Sequence, residues 1–232
     1  MIIAIRYLYS YDLEPSSIKI YISKRVGVER WVKYMSHSIS VSRPRYQGFR
    51  ISILRVSLTA SLTAIAIVLH IFKIPFPIAP FLKFDATGIP LAVIALYSVG
   101  DAAVASLVVL PSIIALGADI IGASMKVLAE FSTFVPLAPT YSVLRNRLSR
   151  RGLYIVAIMV SLASRVGVMS LANYIVTPYW LVMTYSWPYD KAYRVTLMYL
   201  PAIASFNAIV ALYVVPIALS IYMIIERLGI KL

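Results

Sequence analysis

The residues able to do chemistry in this chain are the few polar ones that interrupt long apolar stretches: His70, Lys126, Glu130, Arg165, Asn173 and Asn207. Ionisable side chains in membrane-compatible sequence are costly to bury, which makes them functional candidates by default. A buried acid and base can neutralise each other. A carboxamide offers both donors and acceptors to a small polar ligand. Covalent and metal chemistry find little support. The chain has no cysteine, which excludes a thiolate ligand, a disulfide framework and a cysteine nucleophile. His37 and His70 lack metal-ligand spacing. There is no G-x-x-x-x-G-K-[ST] phosphate loop, no HExxH and no Ser-His-Asp arrangement. The sequence therefore reads as a protein without catalysis or cofactor. Only Glu130 and at most one further acid, Asp101, have room to lie deep in the apolar region, too few for a proton relay through it.

These side chains must be positioned by helices. Of the 232 residues, 61% are hydrophobic and 13% charged, and mean hydropathy is +0.85. Segments near 51–72, 86–100, 101–117, 119–144, 152–176 and 199–225 are rich in Ala, Val, Ile and Leu. About 20 apolar residues cross a bilayer as a helix, where backbone groups must be satisfied internally. The net charge of +13 would suggest nucleic acid in a soluble protein, but its placement argues for a membrane and no nucleic acid. Residues 1–55 hold ten Lys and Arg against Asp12, Glu14 and Glu29, and the loop RNRLSRR (145–151) holds four with no acid. Basic loops face the cytoplasm. The expectation is an all-α, multi-pass cell-membrane protein of six transmembrane helices with both termini cytoplasmic. Residues 1–50 read as a basic arm near anionic lipid or as sequence upstream of a true start at Met35. The membrane domain is residues 51–232.

Depth can be read from the 1.5 Å rise per residue. Lys126 falls ~10 Å and Glu130 ~16 Å below the outer end of helix four, Arg165 ~16 Å below that of helix five, and Asn207 ~12 Å below that of helix six. Glu130 and Arg165 are level on sequential helices, which predicts a structural ion pair. Lys126, Asn173 and Asn207 converge on the outer half, either as the polar contacts of a small-molecule pocket or as hydrogen-bonding glue between helices. His70 reads as a packing or interfacial residue. Residues 73–85, KIPFPIAPFLKFD, form a proline-stiffened loop that folds back as a lid or lies at the interface. Residues 177–198, with their Trp and Tyr, form a second external loop suited to an interfacial belt. Ala60 and Ala64 make a small-residue face on helix one, for close packing inside the bundle or against another protein.

The order of these features resembles the S components, the substrate-binding membrane subunits, of energy-coupling-factor vitamin transporters, over roughly residues 50–228. Within that family the riboflavin-specific branch is most similar. FKIPFPIAPFLKFDATGIP (72–90) is similar to its loop and D-F-S-D-x-P turn, SLANYIVTPYW (170–180) to its N-Y-x-x-x-x-P-x-Y segment, and SFNAIV (205–210) to its P-F-N-x-x-K segment. The resemblance implies a substrate set of Asn173, Asn207, Lys126 and Asp85, with the two asparagines facing the uracil-like edge of a flavin. It implies that Ala60 and Ala64 dock a membrane coupling subunit, which works with two cytoplasmic ATPases. The chain departs from the pattern at Val210, where the branch has Lys, and at Gly88, where it has a second Asp. The Lys-Asn pair usual in helix three is missing near Val109, Leu110 and Pro111. Lys126 stands where Asn is expected, compensating for a lost lysine or recognising a more anionic ligand. The function implied is capture of riboflavin or a related small molecule at the outer face for ATP-driven uptake. An S component for another vitamin and a stand-alone secondary transporter are the alternatives.

Overall fold

The computed structural model describes residues 46–228, with side chains from residue 53 onward. The expectations for the N-terminal arm before residue 46, including the one at Met35, and for the last four residues lie outside this range. Six helices and one small hairpin follow in order: α1 Tyr46–Leu69, β1 Ile74–Phe76, β2 Ala79–Phe84, α2 Gly88–Tyr97, α3 Val99–Ala115, α4 Ile120–Leu144, α5 Arg150–Tyr185 and α6 Tyr189–Arg227. The result is a helical membrane fold. Helices α4, α5 and α6 are each long and apolar enough to cross a bilayer, while α2 and α3 are shorter apolar helices.

Helix α2 is the centre of the packing. Leu91, Ala92, Val93, Ile94, Ala95 and Leu96 are all buried, and α1, α3, α4 and α6 surround it. An apolar helix with no polar face has to be enclosed. Its ten residues rise only ~15 Å, about half the hydrocarbon thickness. The break between α2 and α3 is one residue, Ser98, in an extended conformation. Its hydroxyl caps α3 by accepting from the Asp101 N–H, satisfying an orphan donor of the first turn. Asp119 and Ser149 cap α4 and α5 in the same way, accepting from the N–H of Gly122 and Gly152.

Two expectations require correction. The proline-rich segment 73–85 is not a plain loop but an antiparallel hairpin, pairing Ile74 with Phe84, Pro75 with Lys83 and Phe76 with Ala79. Proline is acceptable there because a two-stranded ribbon has free edges. Phe76 and Phe84 turn inward onto Phe206 of α6, with ring centroids 5.7 and 4.7 Å away, and Phe81 meets Tyr199 edge-on at 5.3 Å. The apolar loop thus folds back onto the bundle.

The second correction is the loop expected at 177–198. Helix α5 runs on to Tyr185 and α6 begins at Tyr189, leaving a three-residue connection. Ser186 closes α5 in the left-handed conformation at φ 53°. Pro178 sits inside α5, tolerated as prolines in apolar helices are when neighbouring groups re-satisfy the backbone. The aromatics form a ladder between the two helices: Tyr174 and Tyr193 share a hydroxyl hydrogen bond of 2.8 Å, Tyr189 stacks on Tyr193, and Lys191 lies 4.2 Å over the Trp187 ring.

Candidate functional site

A cavity of about 390 Å³ opens between the hairpin, the α3–α4 connection and helices α4, α5 and α6. That volume suits a vitamin-sized ligand. Its lining brings together Asp85, Lys126, Glu130, Arg165, Asn173 and Asn207, and adds His70, Tyr213 and Trp180. The polar groups fall into two layers.

The layer nearer the hairpin centres on Asp85, in the turn between β2 and α2. Lys126 Nζ donates to both carboxylate oxygens at 2.7 and 2.6 Å. His70 Nδ1 lies 3.2 Å from Oδ2, and the Thr87 N–H donates to Oδ1 at 3.1 Å. The Tyr213 hydroxyl of α6 donates to the Asp85 carbonyl. One turn residue is therefore held by the end of α1, by α4 and by α6. Burial by itself would raise the Asp85 carboxyl, but the hydrogen bond from His70, the Lys126 ammonium and the Thr87 N–H together hold it well below the usual carboxylate range. The sequence leaves Lys126 without a partner; the structure gives it Asp85, because the hairpin returns the chain to α4. His70, read as a packing residue, belongs to this layer. Its Nε2 is buried and has no hydrogen-bond partner, leaving one ring nitrogen uncommitted at the cavity wall.

The second layer lies deeper and centres on Arg165. Its Nη1 donates to Glu130 Oε2 at 3.3 Å and to Thr133 Oγ1 at 2.7 Å, Nη2 donates to Glu130 Oε1 at 3.5 Å, and Nε donates to Asn207 Oδ1 at 3.2 Å. Both members of the ion pair are buried, at 4% side-chain exposure each. The guanidinium fork fills several acceptors at once, which buried charges require. Gly88 packs against this layer: a Cβ there would run into the Glu130 carboxylate. A side chain at this position would therefore require the Glu130 carboxylate to move.

The asparagines stand in the wall but are partly committed. Asn207 Nδ2 donates to the Ile203 carbonyl at 2.9 Å, and its oxygen accepts from Arg165. Asn173 Nδ2 donates to the Met169 carbonyl at 2.8 Å, and its oxygen accepts from the Thr177 hydroxyl at 3.0 Å. Each carboxamide keeps one N–H beyond these bonds. Val210 also lines the cavity as an apolar surface. Ala60 and Ala64 lie far along α1 from the cavity lining, and both are exposed, whereas Thr63 and Ala66 between and beside them are buried. The small-residue face thus points out of the bundle.

At the other end of the bundle the charges are half-exposed. Arg55 Nε lies 2.5 Å from Asp101 Oδ2, with Ser98 accepting from the same guanidinium. Arg145 donates to Glu226 at 3.1 Å, and the Tyr141 hydroxyl donates to the second oxygen of Glu226 at 2.8 Å. Asp101 is at this end, leaving Glu130 as the acid of the two that lies deep among the described residues.

The fold is similar to that of a solved protein described as the S component of a bacterial ECF transporter. The match has a TM-score of 0.59 and 21% sequence identity, and covers 78% of this chain and 99% of the other. No protein-family model and no curated protein matches the sequence.

Proposed function

We propose that this chain is the substrate-capturing membrane subunit, the S component, of an ATP-driven energy-coupling-factor transporter. It binds one vitamin or related small molecule in the cavity beneath the hairpin, without catalysis. The observation that carries the reading is the cavity itself: apolar walls with a few fixed polar groups, at one end of a bundle whose fold resembles an S component. The basic loops give the orientation, with the Arg145–Arg151 end cytoplasmic and the hairpin external. The chain then crosses the cell membrane six times with both termini inside. A stand-alone secondary transporter would need a coupling-ion site, and both deep carboxylates, Asp85 and Glu130, already have a cationic partner.

Riboflavin is the first ligand to test, by titration of the purified protein. Asn207→Ala and Asn173→Ala should each weaken binding by about tenfold, since a lost buried partner costs about 1–3 kcal/mol. Unchanged affinity in both variants would move the site elsewhere. The exposed Ala60/Ala64 face would dock the coupling subunit, which acts with two cytoplasmic ATPases. Lipid gives no hydrophobic drive between helices, so close approach depends on small side chains. Replacing both alanines by Trp should leave ligand affinity intact and abolish co-purification with the partners. Assembly that survives the double substitution removes the docking assignment.

A further inference from the structure

Four cationic side chains and three carboxylates line the cavity. Asp85 is paired with Lys126 and Glu130 with Arg165, while Asp119 caps α4 by accepting from the Gly122 N–H and keeps its own charge. The cations left over are Lys73 and Lys83, which have no carboxylate partner among the described residues. Lys83 lies in β2 opposite Pro75, two residues beyond Lys73, so the hairpin holds both at the same end of the cavity. Burial lowers the Lys73 ammonium from its ordinary value; Asp85 opposes that, while Lys83 and Lys126 push it further down. Lys73 therefore feels the charge of both other lysines of the lining. Lys126 has three donors, and a third remains after its two bonds to Asp85. The four cations outnumber the three carboxylates of the lining by one, and the surplus lies on the hairpin side with Lys73 and Lys83; a surplus charge on a concave wall concentrates counter-ions.

We infer, on the reading that this cavity captures a small molecule, that its ligand carries a carboxylate or phosphate that sits among Lys73, Lys83 and Lys126. The remainder of the ligand lies deeper, against Asn173 and Val210. The same lysines would also suit a lipid phosphate, since long cationic side chains reach for headgroups, and the experiment separates the two sources.

The purified full chain is titrated calorimetrically with matched pairs that differ in charge: riboflavin and riboflavin 5′-phosphate, pantothenol and pantothenate, nicotinamide and nicotinate. In whichever pair binds, the anionic member should bind at least tenfold more tightly at low salt. The gap should narrow as salt screens it and should close in the Lys73→Gln/Lys83→Gln variant. Equal or tighter binding of the neutral member overturns the inference while small-molecule capture stands. A gap that survives in the double variant also overturns it. The titration is repeated in nanodiscs with and without phosphatidylglycerol; loss of the gap when that lipid is added assigns the lysines to headgroups and overturns the inference. Binding of none of the six compounds removes the capture of these ligands and the inference with it.

Discussion

The two ends of the bundle use the same ion-pair chemistry in opposite settings. At the hairpin end, Asp85 and the Glu130–Arg165 pair keep side-chain exposures of 5% or less. At the basic end, Arg55–Asp101 and Arg145–Glu226 range from 27% to 47%. Both sets stitch helices together, α1 to α3 and α4 to α6 at the basic end, and α4 to α5 and the hairpin turn to α4 at the other. Hydrated pairs contribute about 0–1 kcal/mol. Buried pairs carry a desolvation penalty of several kcal/mol per ion and hold only if every lone pair and proton is used. A fold that needed only stitching would do as well with the exposed kind. The buried layers make sense as walls of a cavity whose polar groups must be fixed before a ligand arrives, which lowers the cost of binding.

The sharpest way to break this contrast is to remove one partner at each end. Arg165→Met or Glu130→Gln should destabilise the protein by about 3–5 kcal/mol, because the survivor is a buried, uncompensated charge or an unfilled fork. The double substitution should recover most of that loss, and thermal unfolding of the set gives the coupling directly. Asp85→Asn should cost less, about 1.5–3 kcal/mol for hydrogen bonds to a charged group, because Lys126 is 19% exposed and can reach water. Hydrogen exchange in the hairpin should rise in that variant, and unchanged protection would mean that Phe76 and Phe84 alone hold the lid. Arg55→Gln and Arg145→Gln should stay within about 1 kcal/mol of the parent. A loss at Arg55 as large as at Arg165 would erase the distinction between the ends.

How much of this was legible beforehand depended on the kind of signal. Although the depth count makes them level only with residue 176 as the end of a helix that runs on to Tyr185, Glu130 and Arg165 can be matched because charges in an apolar bundle must neutralise. The same rule could have matched Lys126 with Asp85. Asp85 escapes that rule because it lies in a segment whose prolines hide a strand pattern. Leu82 and Phe84 turn inward between exposed Phe81 and Lys83, which is period-two alternation in only four residues. His70 gave no signal at all, since its partner is 15 residues away across the hairpin. The α5–α6 connection is hidden in the sequence for a different reason. Trp and Tyr enrichment marks an interface depth, and helices cross that depth as readily as loops do. Between Thr177 and Tyr185 the only helix breaker is Pro178, whereas the real break is at Ser186–Pro188.

The comparison with the solved S component carries the fold, and the cavity carries the proposed role; what joins them is occupancy. Native mass spectrometry of the protein, released gently from detergent, tests that link most directly. The account predicts a non-covalent adduct of one small molecule per chain, either co-purified or after incubation with the vitamin panel. With ligand held well below the parent Kd, its occupancy should fall by close to tenfold in the Asn207→Ala protein. A protein that stays bare against the whole panel, or an adduct whose occupancy is the same in the variant, would contradict the account.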